Sequence, residues 1–196
     1  MSVVEYLDGG GRICINIQPS FSEYFPTHHK ISNYICNIEN MIWKAEIIWD
    51  KHNFGRSTTT WGSWMSPSSP YIRYTNEYIE VFCKGDLKHI GNSDISDLTK
   101  EQFIDWTRNY WSIAPENRMK KFNHPAMMPE ELATRLIKLF SFQKDVILDP
   151  FNGVGTTTLC AKLTNRNYVG IDISEQYCKT AEKRMKNTKK LFEIYK

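Results

Sequence analysis

The sequence predicts a single α/β domain, and three observations carry that expectation: an ordinary globular composition, an alternation of strand-like and helix-like segments, and a strand–glycine turn–helix unit near the C-terminal end. A chain of 196 residues buries well over half of its unfolded surface, so one sizeable core is expected and two full domains are not. Hydrophobic residues at 41% and charged residues at 24% exclude wholesale disorder. Lys and Arg exceed Asp and Glu by only 25 to 22, which permits a polyanionic partner without requiring one. The 5 cysteines show no CxxC or other ligand spacing, and their odd number argues for reduced thiols rather than a disulfide framework or a metal site. The opening MSVVEYLDGGG has neither a basic start nor an apolar run. No stretch approaches the ~18 to 20 apolar residues of a membrane span, so a cytoplasmic protein with no membrane partner is expected.

Taken in order, RICINI (Arg12–Ile17) follows three glycines and is rich in β-branched residues, hence a buried strand. Over Lys30–Lys44, Ile31, Tyr34, Ile35, Ile38 and Ile42 recur at helical spacing. AEIIWD (Ala45–Asp50) and EYIEVFCK (Glu77–Lys84) are the next strands. Between them, Asn53–Arg73 is too rich in Gly, Ser, Thr and Pro for regular structure and too aromatic for a linker, so it reads as a functional loop. Polar residues then lead to EQFIDWTRNYW, helical in the spacing of Phe103, Trp106 and Tyr110. Pro129 opens EELATRLIKLF, whose Leu132, Leu136, Leu139 and Phe140 define one packed helix face. The basic tail, Lys179–Lys190, places Ala181 and Met185 inward and Lys183, Arg184, Lys186, Lys189 and Lys190 on a solvated face.

The sharpest signal is DVILDPFNGVGTTTLCAKL (Asp145–Leu163), a buried strand, a glycine turn and a helix whose N-terminus can face a polar ligand. Gly153 and Gly155 allow close backbone approach, because a Cβ would intrude or forbid positive φ. YVGIDIS (Tyr168–Ser174) is a second strand, ending where Asp172 can accept both hydrogen bonds of a ribose diol. A P-loop is excluded, since no Lys follows Gly155, and a dinucleotide fingerprint is weakened because Thr158 stands at its third glycine. A plain glycine turn joining strand to helix stays open, although the flanking DPF and TT suit it poorly.

DPFNGVGTT followed by YVGIDIS resembles the S-adenosylmethionine-binding region of N4-cytosine and N6-adenine site-specific DNA methyltransferases. HPAMMPEEL (His124–Leu132) resembles that family's second cofactor motif, which in the permuted, β-type arrangement directly precedes the glycine loop. GGRICINI, EIIWDK and WGSWMSPSSPYIRYTNEYIEVFCK resemble later strands and DNA-side loops of the same group. The resemblance covers nearly the whole chain, least securely Gly85–Lys121. It implies an incomplete Rossmann-like methyltransferase fold over residues 1–196, a mostly parallel sheet with helices on both faces, and DNA-side or recognition insertions at 53–73 and 85–121.

Carried over to this sequence, the resemblance implies that Asp149, Phe151, Gly153 and Gly155 border S-adenosylmethionine, with Thr156 and Thr157 at the helix start. Asp172 then binds the ribose, and His124 and Pro125 sit near the methionine end, although a His before Pro is also a common turn residue. The implied reaction is direct transfer of a methyl group to the exocyclic nitrogen of cytosine or adenine in double-stranded DNA, as in restriction-modification, with the base flipped out of the helix. Arg56, Trp61, Trp64, Tyr71 and Arg73 are the expected DNA contacts, with core packing the alternative for each tryptophan.

The family's catalytic DPPY- or SPPY-type tetrapeptide is absent from this chain, so no catalytic residue is assigned. Ser66-Pro67-Ser68-Ser69-Pro70-Tyr71 is interrupted and stands where the family has a DNA-side loop. In the permuted order the motif would precede GGRICINI and would supply a central strand. Without that strand two apolar sheet edges are left unpaired, which points to a fragment, to one half of an enzyme completed by a second polypeptide, or to an inactive cofactor- or DNA-binding remnant.

Overall fold

The computed structural model describes residues 3–18, 25–51, 61–72, 74–91 and 96–194. Its largest sheet joins β1 (Arg12–Ile17), β2 (Met41–Asp50), β3 (Asn76–Lys84) and β4 (Tyr110–Ser112) in the order β1-β3-β2-β4. β3 runs antiparallel to both β1 and β2, and β4 parallel to β2. β3 is covered on both faces, which explains its nearly continuous apolar run. Ile79 and Val81 join Ile47, Trp49, Trp111 and Ile113 on one face, where Leu132 and Leu136 of α4 (Glu130–Phe140) close the core. On the other face Phe82 meets Met41 and Ile35 of α1 (Thr27–Cys36). Two short helices, α2 (Lys100–Trp106) and α3 (Met119–Phe122), lie between β3 and α4. α2 starts at a reciprocal capping box formed by Thr99 and Gln102.

β5 (Val146–Asp149) and β6 (Asn167–Gly170) form a separate parallel pair, connected by α5 (Thr156–Leu163) and followed by α6 (Glu175–Ile194). α4 spans the two sheets: Leu132 and Leu136 belong to the first core, while the adjacent Ala133 and Ile137 pack on Cys160 and Ala161 of α5, with Ile147 of β5 beside them. Residues 85–91 tie the start of β1 to the start of β5. Arg12 donates to Leu87 O at 2.6 Å, and His89 reaches Asp145 Oδ2 at 2.8 Å while stacking on Phe142. β1 and β5 therefore begin at the same end of the molecule. Among the described residues each pairs with a strand on one side only.

The α/β class and the helices on both faces stand as expected, but the described pairings divide evenly between parallel and antiparallel rather than being mostly parallel. The first helix is shorter than its hydrophobic spacing suggested. It ends at Cys36, and Asn40 turns the chain at φ 62° so that Ile42 pairs with Cys83 in the sheet instead of extending the helix. Ile42 fits a helical period, yet ladder pairing decides its fate; Tyr110, spaced to continue the helix of Phe103 and Trp106, likewise leaves it, because α2 ends at Trp106 and Tyr110 pairs with Ile48 in β4. β6 stops at Gly170, earlier than the apolar run, because the chain bends so that Asp172 can meet the glycine turn.

Candidate cofactor site

The turn after β5 is closed by its own backbone and by β6. Asn152 N donates to Ile171 O at 2.9 Å, Gly155 N to Asn152 O at 2.8 Å, and Phe151 N to Asp149 Oδ1 at 3.0 Å. Asp172 points into the turn: Oδ2 accepts from Gly153 N and Oδ1 from Ser174 N, both at 2.8 Å. A carboxylate offers about four acceptor positions, so each oxygen keeps capacity for a ligand hydroxyl. Phe151 stands at the rim with 88% of its surface exposed. The ring of His124 lies against the turn and packs 4.7 Å from that of Tyr177, with Nδ1 accepting from Ala126 N. Pro125 beside it is exposed.

Both glycines are left-handed, Gly153 at φ 50° and Gly155 at φ 82°, but they serve different ends. A Cβ on Gly153 would lie 2.9 Å from His124 Nε2, whereas one on Gly155 would lie 2.7 Å from Ala181 Cβ on α6. Gly153 lets the imidazole approach; Gly155 lets α6 close on the turn, rather than opening space to a ligand. Thr156 is buried and faces Arg184, with its Oγ1 3.4 Å from the guanidinium, while Thr157 is half-buried at the helix start. Asn152 went unnoticed in the sequence, although its Oδ1 accepts from Thr158 Oγ1 at 3.0 Å and its amide rests on Gly170, where a side chain would collide.

Behind the turn lies a charged cluster. Arg184 is buried rather than part of a solvated basic face, because Ala181, Arg184 and Thr188 share the inward stripe of α6. Its guanidinium donates to Val154 O at 2.7 Å and to Glu130 Oε1 at 3.0 Å, and lies 4.7 Å from the Phe122 ring centroid. Glu130 Oε1 also accepts from Arg118 at 2.8 Å, and Arg118 grips Glu116 through two nitrogens at 2.9 and 2.6 Å. The bonds from Arg118 hold the Glu116 carboxyl down at about 2, while burial lowers the Arg184 pKa. Burial raises the Cys160 thiol to about 11, which keeps it a protonated core residue.

On the expected DNA side, Trp61 and Trp64 are 42% and 66% exposed and meet edge to face at 5.4 Å. Tyr71 is half-buried, and its N–H donates to Trp61 O at 3.1 Å. Arg56 and Arg73 lie outside the described residues. The Ser66–Tyr71 stretch is consumed by its own turn, in which Ser63 Oγ donates to Ser66 O and accepts from Ser69 N. Its backbone is thus committed to the loop. No helix among the described residues is long and apolar enough to cross a membrane.

The N6/N4 DNA methylase family model matches residues 2–183. The chain is 33% identical over 191 residues to the type II methyltransferase M.MjaI of Methanocaldococcus jannaschii, covering 88% of this chain and 60% of that protein. It is 29% identical over 198 aligned positions to the type II methyltransferase M.MthZI of Methanothermobacter thermautotrophicus, covering 93% of this chain and 56% of that one. The chain thus spans less than two thirds of these relatives. A solved Thermus thermophilus protein, named as a candidate DNA modification methylase and crystallised with S-adenosyl-L-methionine, matches with TM-score 0.74 at 28% identity, covering 94% of this chain and 72% of its own.

Proposed function

The chain belongs to the N6/N4 DNA methylase family, and from that premise we propose that it forms the S-adenosylmethionine-binding part of a site-specific enzyme that methylates the exocyclic amino group of cytosine (N4) or adenine (N6) in double-stranded DNA. The observation that carries the reading is the convergence of the Gly153 turn, the Asp172 carboxylate and the His124 ring from three separate segments. The groups present suit such a ligand: spare carboxylate capacity for a diol, an exposed aromatic at Phe151, and an imidazole seated against the Gly153 turn. When bound, S-adenosylmethionine supplies an electrophilic methyl group on its sulfonium. The protein's part is to hold it. Asp149 fixes the turn and Asp172 orients the ribose, Phe151 covers the rim, and His124 and Pro125, with Thr156 and Thr157 behind, border the rest.

The catalytic tetrapeptide enters this reading on a further strand, parallel to β5 and lying between β5 and β1. The edges of these two strands that no strand among the described residues covers, and their shared starting end, support that placement. The strand belongs to a segment continuous with this chain, as the permuted order has it, or to a second polypeptide. Trp61, Trp64 and Tyr71 are the proposed DNA contacts, with part of residues 85–121; Arg56 and Arg73, the other two candidates, lie outside the described residues.

Calorimetric titration with S-adenosylmethionine tests the reading. The chain binds it, and Asp172→Ala weakens binding by at least about tenfold, as loss of a ribose-bonding carboxylate requires. Absence of binding by the parent chain overturns the proposal. Methylation of DNA by the 196-residue chain as a stable monomer overturns the added strand.

A further inference from the structure

We propose that Arg184 is a positioning residue for the cofactor turn: its guanidinium fixes the Val154 carbonyl and, through Glu130, locks that turn to the Glu116–Glu130 segment that carries His124. The inference rests on the reading of the glycine turn as the S-adenosylmethionine site and concerns how that site is kept in shape.

Val154 stands between two left-handed glycines. Glycine populates several φ/ψ basins at little cost, so the peptide planes on either side of Val154 have no intrinsic preference strong enough to hold one orientation. Because the peptide unit is planar, fixing the Val154 carbonyl also fixes the direction of the Gly155 N–H. The bond from Arg184 Nη1 at 2.7 Å holds this plane at its carbonyl end, and the bond from Gly155 N to Asn152 O at 2.8 Å holds the other end within the turn itself. The donor is charged and its side chain is only 8% exposed, which makes the bond stronger than a neutral one and costly to leave unmade.

The same planar fork reaches a second element. Arg184 Nη2 bonds Glu130 Oε1 at 3.0 Å, and the oxygen is shared with Arg118. Arg118 stands at the N-cap position of α3, whose Phe122 lies under the Arg184 guanidinium and whose Met119 carbonyl accepts from His124 N at 3.1 Å. One guanidinium therefore holds the turn from behind and the His124 segment from below. Only arginine supplies two divergent donors in a rigid plane; a lysine ammonium keeps the charge but is a single point on a flexible stem. Arg184 does not border the ligand position, so its effect passes through Val154 and Glu130.

The test uses the whole chain and three variants: Arg184→Lys, Glu130→Gln, and Lys183→Ala as an exposed neighbour outside the cluster. Two readouts are taken, S-adenosylmethionine affinity by calorimetry and amide hydrogen exchange of Gly153 and Gly155 in the ligand-free protein, with exchange in β3 as the reference for global stability. Arg184→Lys is expected to speed exchange at the two glycines and weaken affinity, each by about tenfold, while β3 protection changes less. Glu130→Gln moves both in the same direction, and Lys183→Ala moves neither. Equal loss of protection in β3 and the glycines, or glycine exchange and affinity within about twofold of the parent, overturns the proposal. If Arg184→Lys fails to fold, Glu130→Gln decides on the same criteria. If the parent binds no S-adenosylmethionine, the functional reading falls, and the exchange readout alone still tells whether Arg184 clamps the turn.

Discussion

Replacing Gly155 by alanine adds one methyl group at a point where the fold has no room for it. The residue sits at φ 82°, and its new Cβ would lie 2.7 Å from Ala181 Cβ and 3.2 Å from Ala181 Cα. The left-handed conformation costs a non-glycine residue about 1 to 2 kcal/mol. The contact is with the backbone-anchored root of a helix residue, which cannot swing away, so overpacking adds about 1 to 3 kcal/mol. The total, about 2 to 5 kcal/mol, corresponds in a chain of this size to a fall in melting temperature of roughly 4 to 20 °C.

Gly153→Ala meets the same kind of strain at φ 50°, but its Cβ would touch only the far end of the His124 ring, which can rotate. Its cost is therefore about 1 to 2 kcal/mol, with the damage falling on ligand binding instead. Ala181→Gly in the Gly155→Ala background removes the 2.7 Å contact and leaves the 3.2 Å one to the Cα, while the helix loses about 1 kcal/mol to the new glycine. The double-mutant cycle is thus expected to show favourable coupling of about 1 to 3 kcal/mol. Thermal denaturation followed by circular dichroism gives all four values. A Gly155→Ala protein melting within about a degree of the parent, or a cycle with no coupling, refutes the assignment of Gly155 to the α5–α6 contact.

The Glu116 carboxyl is held down from 4.5 to about 2 in the folded protein. A depressed folded pKa contributes stability that is complete above the unfolded value and is lost as pH falls through the folded one. Acid denaturation monitored between pH 4.5 and about 2 should accordingly lose part of its slope in Glu116→Gln, and an unchanged profile contradicts the strength given to the Arg118 pair. Trp64→Ala removes a side chain that is 66% exposed, so melting should stay near the parent while duplex DNA binding, in an enzyme completed by its catalytic strand, weakens by about tenfold. Undiminished binding in a fluorescence titration would return Trp64 to an ordinary surface residue.

Local chemistry made much of this protein legible in its sequence. The β-branched run Arg12–Ile17, the helix that Pro129 opens, and the strand–glycine turn–helix from Val146 to Leu163 all form where their residues dictate, because period, proline φ and glycine φ are properties of neighbours along the chain. The side of the turn each glycine faces was not legible, since Ala181 and His124 come from distant segments. Nor was the burial of Arg184: a lysine-rich helix gives no sign of which cation finds a carbonyl and a carboxylate waiting inside. Tertiary pairing likewise overrode the helical spacing of Ile42 and divided the strands into two sheets. Sequence sets what each segment prefers, whereas burial and partner choice are decided only when separate segments compete for the same space.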